Sequence, residues 1–150
     1  MYVKLSPDFV EIKPGPGIAV DLRYATTNNF TGLNLYQEFD RAYLHRDAAD
    51  RLERAVHFLR QRHPEYRIVI YDALRPRSVQ RKLWAHVRDT PQRIYVADPE
   101  RGSVHNYGLA IDCSILDDRG VALDMGTEFD FFGPLAQPRQ IGRASCRERV

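Results

Sequence analysis

A short run, RIVIYD at residues 67–72, constrains the fold more than any other part of this sequence. Its three consecutive β-branched residues favour a strand, and the lack of polar alternation favours a buried one. The segment ALRPR then ends the strand, because a proline cannot donate to a ladder of hydrogen bonds. The sequence therefore predicts a buried strand that carries Asp72 and Arg75 at its carboxyl end.

Amphipathic helices are predicted before and after this strand along the chain. Apolar residues recur at helical spacing over residues 47–62, where Asp47 is the predicted N-cap. A similar pattern covers residues 78–87, with Ser78 as the predicted N-cap. Residues 90–104 contain two prolines and a glycine, which predicts a loop.

Two further strands are predicted, at residues 18–22 and 109–115. The turn DDRG and the segment VALD follow the second strand, which is typical of a β-hairpin with a loop longer than two residues. Strands and helices mix without strict alternation. The predicted fold class is therefore α+β, a single domain with a mostly antiparallel sheet flanked by helices.

The composition predicts one globular domain. Of the 150 residues, 43% are hydrophobic and 28% are charged, a balance that excludes a disordered or membrane-embedded protein. No apolar run approaches the roughly 20 residues that span a bilayer. The N-terminus lacks the basic start and apolar segment of a secretory signal, so we expect a cytoplasmic protein with no membrane partner.

The charge distribution argues against nucleic acid as a partner. The net charge of +2 comes entirely from residues 141–150, which carry three arginines against one glutamate. Acidic and basic residues balance in the rest of the chain, which leaves no electrostatic footprint for a polyanion. The two cysteines, Cys113 and Cys146, form no C-x-x-C motif, so a cysteine-based zinc site is not expected.

The segment SVHNYGLAID, residues 103–112, is the first motif that could carry chemistry. His105 precedes the predicted strand, and Gly108 allows the chain to bend so that the side chains of His105 and Asp112 converge. An imidazole nitrogen with a carboxylate oxygen is a ligand combination that zinc favours. The alternative is a loop histidine and an aspartate that is hydrogen-bonded to the backbone.

The segment YDALRP, residues 71–76, is the second such motif. Arg75 precedes a proline, which biases it towards an extended conformation at the end of the buried strand. A guanidinium fixed there can bind a carboxylate or stabilise a developing oxyanion, and Asp72 can orient it. The alternative is a purely structural ion pair between Asp72 and Arg75.

Together, the ordered motifs resemble the D-alanyl-D-alanine dipeptidases, the VanX-like branch of the zinc DD-peptidase family. The matching blocks are VDLRYATTNNFTG followed by LY, then YDALRP, SVHNYGLAID and DMGTEFDFF, and they span roughly residues 8–133. The resemblance implies a DD-peptidase/Hedgehog-like fold and one Zn²⁺ per chain. It also implies that a D-Ala-D-Ala dipeptide is hydrolysed to D-alanine in a small, closed pocket.

The same resemblance implies roles for individual residues. His105 and Asp112 match two of three zinc ligands, and Arg75 matches the residue that stabilises the oxyanion. Ser103 and Asp130 are expected on the substrate side, Asp130 as the partner of the free ammonium group of the dipeptide. Asp72 is counted with them, as the residue that orients Arg75.

The family pattern also requires a glutamate general base and a third ligand histidine in a late E-x-x-H-like stretch. No histidine follows His105, so this stretch is absent from the sequence. The last ten residues, IGRASCRERV, resemble a translated sequencing-adapter sequence. We therefore expect residues 1–140 to be a partial dipeptidase domain, incomplete at the C-terminus and inactive as written, and residues 141–150 to be a non-native tail. The alternative is a genuine basic tail for an acidic partner.

Two other functions fit the same motifs. One is a related DD- or LD-carboxypeptidase that acts on cell-wall peptides. The other is a non-catalytic module that binds D-Ala termini without turnover. An E-x-x-H-like motif in the intact gene would favour an enzyme, and its absence there would favour the binding module.

Overall fold

The computed structural model describes residues 5–136, and the predicted α+β class is confirmed. The predicted tail, residues 141–150, lies outside the described residues. In chain order the strands and α-helices are β1 (Phe9–Glu11), β2 (Ile18–Val20), β3 (Tyr43–His45), α1 (Arg46–Arg62), β4 (Arg67–Asp72), α2 (Arg77–Val87) and β5 (Asp112–Leu116). Neither helix in this part of the chain is long and apolar enough to cross a membrane.

Strand β4 lies at the centre of a three-stranded sheet in the order β2-β4-β5, as its apolar sequence predicts. It pairs in parallel with β2 and antiparallel with β5. Strands β1 and β3 form a separate antiparallel pair. The sheet structure is therefore mixed, with one parallel pairing in an otherwise antiparallel arrangement.

The hydrophobic core joins β4 to both helices. Ile70 of β4 has no exposed surface, and Leu83 of α2 is also fully buried. Helix α1 contributes Ala49 and Leu52. Full burial of each large aliphatic side chain contributes about 1.5–3 kcal/mol, so these contacts hold β4 against both helices.

Both predicted helix caps are wrong. Helix α1 begins at Arg46, one residue before the predicted range of 47–62, because β3 leads directly into it. Its N-cap is His45, whose Nδ1 accepts from the amide of Asp47 at 3.3 Å. Helix α2 also begins before Ser78, because the carbonyl of Pro76 already accepts the amide protons of the first helical turn. Asp47 and Ser78 therefore lie inside the helices they were predicted to cap.

The shorter elements match the sequence predictions only in part. Strand β2 ends before the predicted limit of 18–22, and β5 starts three residues later than the predicted 109–115. The hairpin partner segment forms a single β-bridge at Ala122 rather than a full strand. The predicted loop at 90–104 contains a short 3-10 helix, Pro91–Tyr95.

Candidate functional site

The antiparallel pairing of β4 and β5 brings the two sequence motifs to one end of the sheet. Asp72, at the end of β4, lies opposite Asp112, at the start of β5, and the ladder is irregular just before this pair. Such an irregularity turns side chains away from the regular alternation. The amide of Arg75 donates to the carbonyl of His105 at 2.9 Å, which joins the turn after β4 to the turn before β5.

Gly108 lets the turn that carries His105 fit against the rest of the protein. Its φ of +64° is left-handed, and its amide caps the short 3-10 helix Val104–Tyr107. A Cβ atom here would lie 2.8 Å from the backbone nitrogen of His45 and 2.8 Å from the ring of Phe9. A side chain at this position would therefore be strained and would also displace the turn.

The ring of His105 is oriented so that one nitrogen remains available for a metal ion. Its Nδ1 lies 2.9 Å from the carbonyl oxygen of Ala73, and because a carbonyl only accepts, Nδ1 carries a proton. Nε2 then faces the carboxylate of Asp112, 3.5 Å from Oδ1. A histidine fixed through Nδ1 with Nε2 directed at a carboxylate is the arrangement that metal sites use.

The charges of His105 and Asp112 are coupled. Burial disfavours a charged imidazole, but the hydrogen bond and negative charge of Asp112 outweigh it and raise the pKa of His105. Burial likewise opposes ionisation of Asp112, yet the hydrogen bond from His105 holds the pKa of this carboxyl below its usual value. His105 and Asp112 therefore stabilise each other's charged forms, whereas the positive charge of Arg75 opposes protonation of the imidazole. A metal ion at Nε2 would take the place of the proton there.

Asp72 completes a group of three candidate ligands but is already engaged. Within residues 5–136, Asp72, His105 and Asp112 form the one group of this kind, with donor atoms within 4.8 Å of one another. Asp72 lies on the Nδ1 side of the imidazole, at 3.5 Å, away from Nε2. Its two oxygens accept from the hydroxyl of Tyr36 and from Arg75. These contacts leave His105 and Asp112 as the two members of the group that could still bind a metal ion.

Arg75 is buried and held by several hydrogen bonds. Its Nε and Nη2 donate to Oδ2 of Asp72 at 2.8 and 2.6 Å, and its Nη1 donates to Oε1 of Gln80 at 2.8 Å. Burial opposes the charge, but the adjacent Asp72 carboxylate outweighs it and raises the pKa of the guanidinium above its usual value. Nη2 lies 3.6 Å from Oδ2 of Asp112, so a permanent positive charge borders the His–Asp pair.

Sequence reasoning missed the groups that surround Arg75. Tyr36 and Gln80 each contact the Asp72–Arg75 pair, and the ring of Tyr24 lies 5.3 Å from the guanidinium. A signal existed for Gln80, which is a polar residue at helical spacing from Leu83 on the apolar face of α2. The two tyrosines lie in the blocks VDLRYATTNNFTG and LY that carry the family resemblance, but their contacts with Arg75 and Asp72 could not be predicted because these partners are distant in the sequence.

Ser103 shapes the turn that carries His105. Its side chain accepts from the amide of His105 at 3.3 Å, and Asn106 completes a capping box. The hydroxyl of Ser103 therefore has a structural role, and its proton remains available to another acceptor.

Asp130 has one carboxylate oxygen without a partner. Oδ1 accepts from the hydroxyl of Tyr24 at 2.9 Å, whereas Oδ2 is buried and has no hydrogen bond within the described part of the chain. Burial raises the pKa of this carboxyl to about 6, partly offset by the Tyr24 hydrogen bond. A buried oxygen of this kind can accept from a ligand donor at low desolvation cost.

Asp130 and Asp112 line the same cleft, which has a volume of about 1220 Å³. This volume exceeds that of ordinary pockets for drug-sized ligands, so the cleft is wider than the small, closed pocket that the resemblance implies. His105, Arg75 and Ser103 are not among the residues that line it. One wall consists of residues 122–130, which are joined to β5 by the bridge at Ala122 and packed through Phe129 against the rings of Tyr24 and Tyr71.

Comparisons with known proteins agree with the motifs. A family model described as D-ala-D-ala dipeptidase, Peptidase_M15, matches residues 8–150; this range includes the predicted tail, so the match does not separate the tail from the body. A D-alanyl-D-alanine dipeptidase of Escherichia coli (strain K12) is 40% identical over 115 residues, which is 77% of this chain and 56% of the relative. The chain thus spans about half the length of that relative. It belongs to the D-Ala-D-Ala dipeptidase family, Peptidase_M15, as the resemblance predicted.

Proposed function

We propose that the protein is a zinc dipeptidase that cleaves D-Ala-D-Ala to D-alanine, with the metal held by Nε2 of His105 and the carboxylate of Asp112. The observation that carries this proposal is the 3.5 Å approach of these two groups, with the opposite ring nitrogen fixed on a carbonyl. Zinc held there would supply a Lewis acid for the scissile carbonyl and would lower the pKa of water towards neutrality.

Arg75 would stabilise the negative charge that develops on the carbonyl oxygen. Of its five N–H groups, three are engaged with Asp72 and Gln80, which leaves one on Nη1 and one on Nη2. The charge is fixed before the reaction, so no reorganisation is needed when the oxyanion forms. Removal of such a donor typically lowers kcat by about 10²–10³-fold.

Asp130 and Ser103 would bind the two ends of the dipeptide. The unpartnered Oδ2 of Asp130 suits the free ammonium group, since a carboxylate with a pKa of about 6 is ionised at neutral pH. The hydroxyl of Ser103 can donate to a substrate oxygen while it caps the turn. Asp72 would act through Arg75 rather than on substrate, because it has no exposed surface.

We also propose that the 150 residues alone do not turn over substrate. Activation of water requires a general base, and a catalytic zinc site usually has three protein ligands. No histidine follows His105 in the sequence to complete the set. Sequencing the genomic DNA across the codon for Gln140 tests the proposed non-native tail: a frame that continues into a Glu and a His supports it, and a genuine IGRASCRERV terminus contradicts it.

The function itself is tested by D-alanine release. The full-length gene product should hydrolyse D-Ala-D-Ala with zinc, lose this activity with a chelator, and leave L-Ala-L-Ala uncut, while the 150-residue chain stays inactive. Binding of D-Ala-D-Ala by the zinc-loaded full-length protein without any release of D-alanine would contradict the proposal and favour the non-catalytic binding module.

A further inference from the structure

Gln80 is a polar side chain with no exposed surface, on the core side of α2. Its Oε1 accepts from Nη1 of Arg75 at 2.8 Å, and its Nε2 donates to the carbonyl of Ala97 at 2.6 Å. Both ends of the amide are therefore used, which satisfies a buried polar group and fixes the orientation of the side chain. The fixed amide presents its oxygen to the guanidinium.

Asp72 holds one edge of that guanidinium. The two hydrogen bonds, from Nε and Nη2 of Arg75, both end on one oxygen, Oδ2. The contact from Gln80 falls on the other terminal nitrogen, Nη1, and supplies a second fixed point. With two fixed points, the remaining N–H groups of Arg75 keep one direction.

We propose that Gln80 is a positioning residue that holds Arg75 in the orientation needed to stabilise the oxyanion. This inference rests on the proposed function of Arg75. Ala97 belongs to the segment between α2 and the turn that carries His105. Through its hydrogen bond to Ala97, Gln80 therefore links the orientation of Arg75 to the position of that segment. The residue acts through Arg75, and nothing in the structure requires that it touch substrate.

The test replaces Gln80 with a side chain of similar size that lacks both hydrogen-bonding groups. Gln80→Met removes the contacts to Arg75 and to Ala97, and Gln80→Glu keeps the acceptor for Nη1 but loses the donor to Ala97. The matched control is Leu83→Met, a buried, volume-conserving change on the same helix that leaves Arg75 untouched. Circular dichroism with thermal unfolding checks that each variant is folded.

Two readouts are compared. In the zinc-loaded full-length gene product, Gln80→Met should lower kcat about 10- to 100-fold with little change in KM, because the oxyanion contact exists only in the transition state. In the metal-free 150-residue chain, nitrogen-edited NMR should show faster solvent exchange of the Arg75 guanidinium protons in Gln80→Met. Gln80→Glu should keep the slow exchange of wild type, and Leu83→Met should match wild type in both readouts.

The two readouts separate this inference from the proposed function. A wild-type full-length protein that releases no D-alanine refutes the proposed function, and the exchange rates then still decide whether Gln80 positions Arg75. The positioning role is overturned if Gln80→Met exchanges its Arg75 protons as slowly as Leu83→Met. It is also overturned if the kcat values of the two variants agree, or if Gln80→Glu exchanges as fast as Gln80→Met.

Discussion

At the scale of single residues, a buried carboxylate organises the site. Asp72 has no exposed surface, and its charge is balanced by Arg75 and hydrogen-bonded by Tyr36. Because a buried charge without a partner is costly, Asp72 and Arg75 depend on each other for stability as well as for position. The two interpretations of the YDALRP motif are therefore compatible: the same ion pair can stabilise the fold and hold Arg75 where it could donate to an oxyanion.

The first prediction concerns the loss of the guanidinium. Arg75→Ala should lower the free energy of unfolding by about 3–5 kcal/mol, because it leaves Asp72 charged and buried without its partner. Arg88→Ala, which removes an exposed ion pair with Asp89, should change it by less than about 1 kcal/mol. Urea unfolding of both variants at neutral pH measures the difference. Equal losses of unfolding free energy in Arg75→Ala and Arg88→Ala would mean that burial of Asp72 does not depend on its ion pair with Arg75.

The second prediction follows from the raised pKa of Asp130. A carboxyl whose pKa rises from 3.8 to about 6 on folding holds its proton more tightly in the folded state. Its contribution to stability is therefore present at low pH and is lost as the pH rises from about 4 to about 6. Asp130→Asn should remove that decline, so the stability of the variant relative to wild type should increase across this window.

Urea unfolding of the metal-free proteins at several pH values provides the measurement. Comparison with Asp124→Asn, an exposed aspartate in the same segment, controls for the loss of a carboxylate at the surface. A difference between Asp130→Asn and wild type that stays constant between pH 4 and pH 6 would contradict the burial of this carboxyl.

At the scale of elements, the turn before β5 determines whether His105 and Asp112 meet. The 3-10 helix Val104–Tyr107 ends at Gly108, whose carbonyl accepts from the amide of His45 at 2.9 Å. This bond attaches the turn to the junction of β3 and α1. The distance between the two candidate ligands therefore depends on a contact with an element that precedes them by about 60 residues.

The third prediction uses Gly108→Ala with Gly32→Ala as the matched control. Both glycines have nearly the same left-handed φ, +64° and +66°, but only Gly108 is crowded. Each substitution should cost about 1–2 kcal/mol from the backbone conformation. Gly108→Ala should cost more, and should also weaken zinc binding, because the new methyl group displaces the turn. Equal unfolding free energies for the two variants would show that the close approach is unimportant.

Element positions were easier to predict than element boundaries and buried polar contacts. The apolar run of β4 and the periodicity of both helices are local properties, and the structure confirms all three elements. The predicted cap of α1 was wrong because β3 leads directly into this helix. That of α2 was wrong because the carbonyl of Pro76, in the turn after β4, already accepts from the first helical turn. Tyr36 contacts Asp72 only through tertiary packing, and the position of Gln80 on the apolar face of α2 indicates burial but not its contact with Arg75.

At the scale of the whole molecule, the candidate site is assembled from separate parts of the chain. Arg75 follows β4, His105 lies in the turn before β5, and Asp130 belongs to the segment after it. Tyr24, from the N-terminal part, contacts both Asp130 and Arg75. Zinc affinity should therefore require the folded protein, because the unfolded chain does not hold these groups together.

Competitive zinc titration against a chromophoric chelator tests whether His105 and Asp112 hold the metal. We compare the 150-residue chain with His105→Ala, Asp112→Asn and the control His57→Ala, which changes an exposed histidine on α1. His105→Ala and Asp112→Asn should each lower the zinc affinity at least about tenfold, since mutation of even a supporting residue in a metal site typically lowers the affinity that much. His57→Ala should bind as wild type does. Affinities of His105→Ala and Asp112→Asn that equal that of His57→Ala would contradict the account.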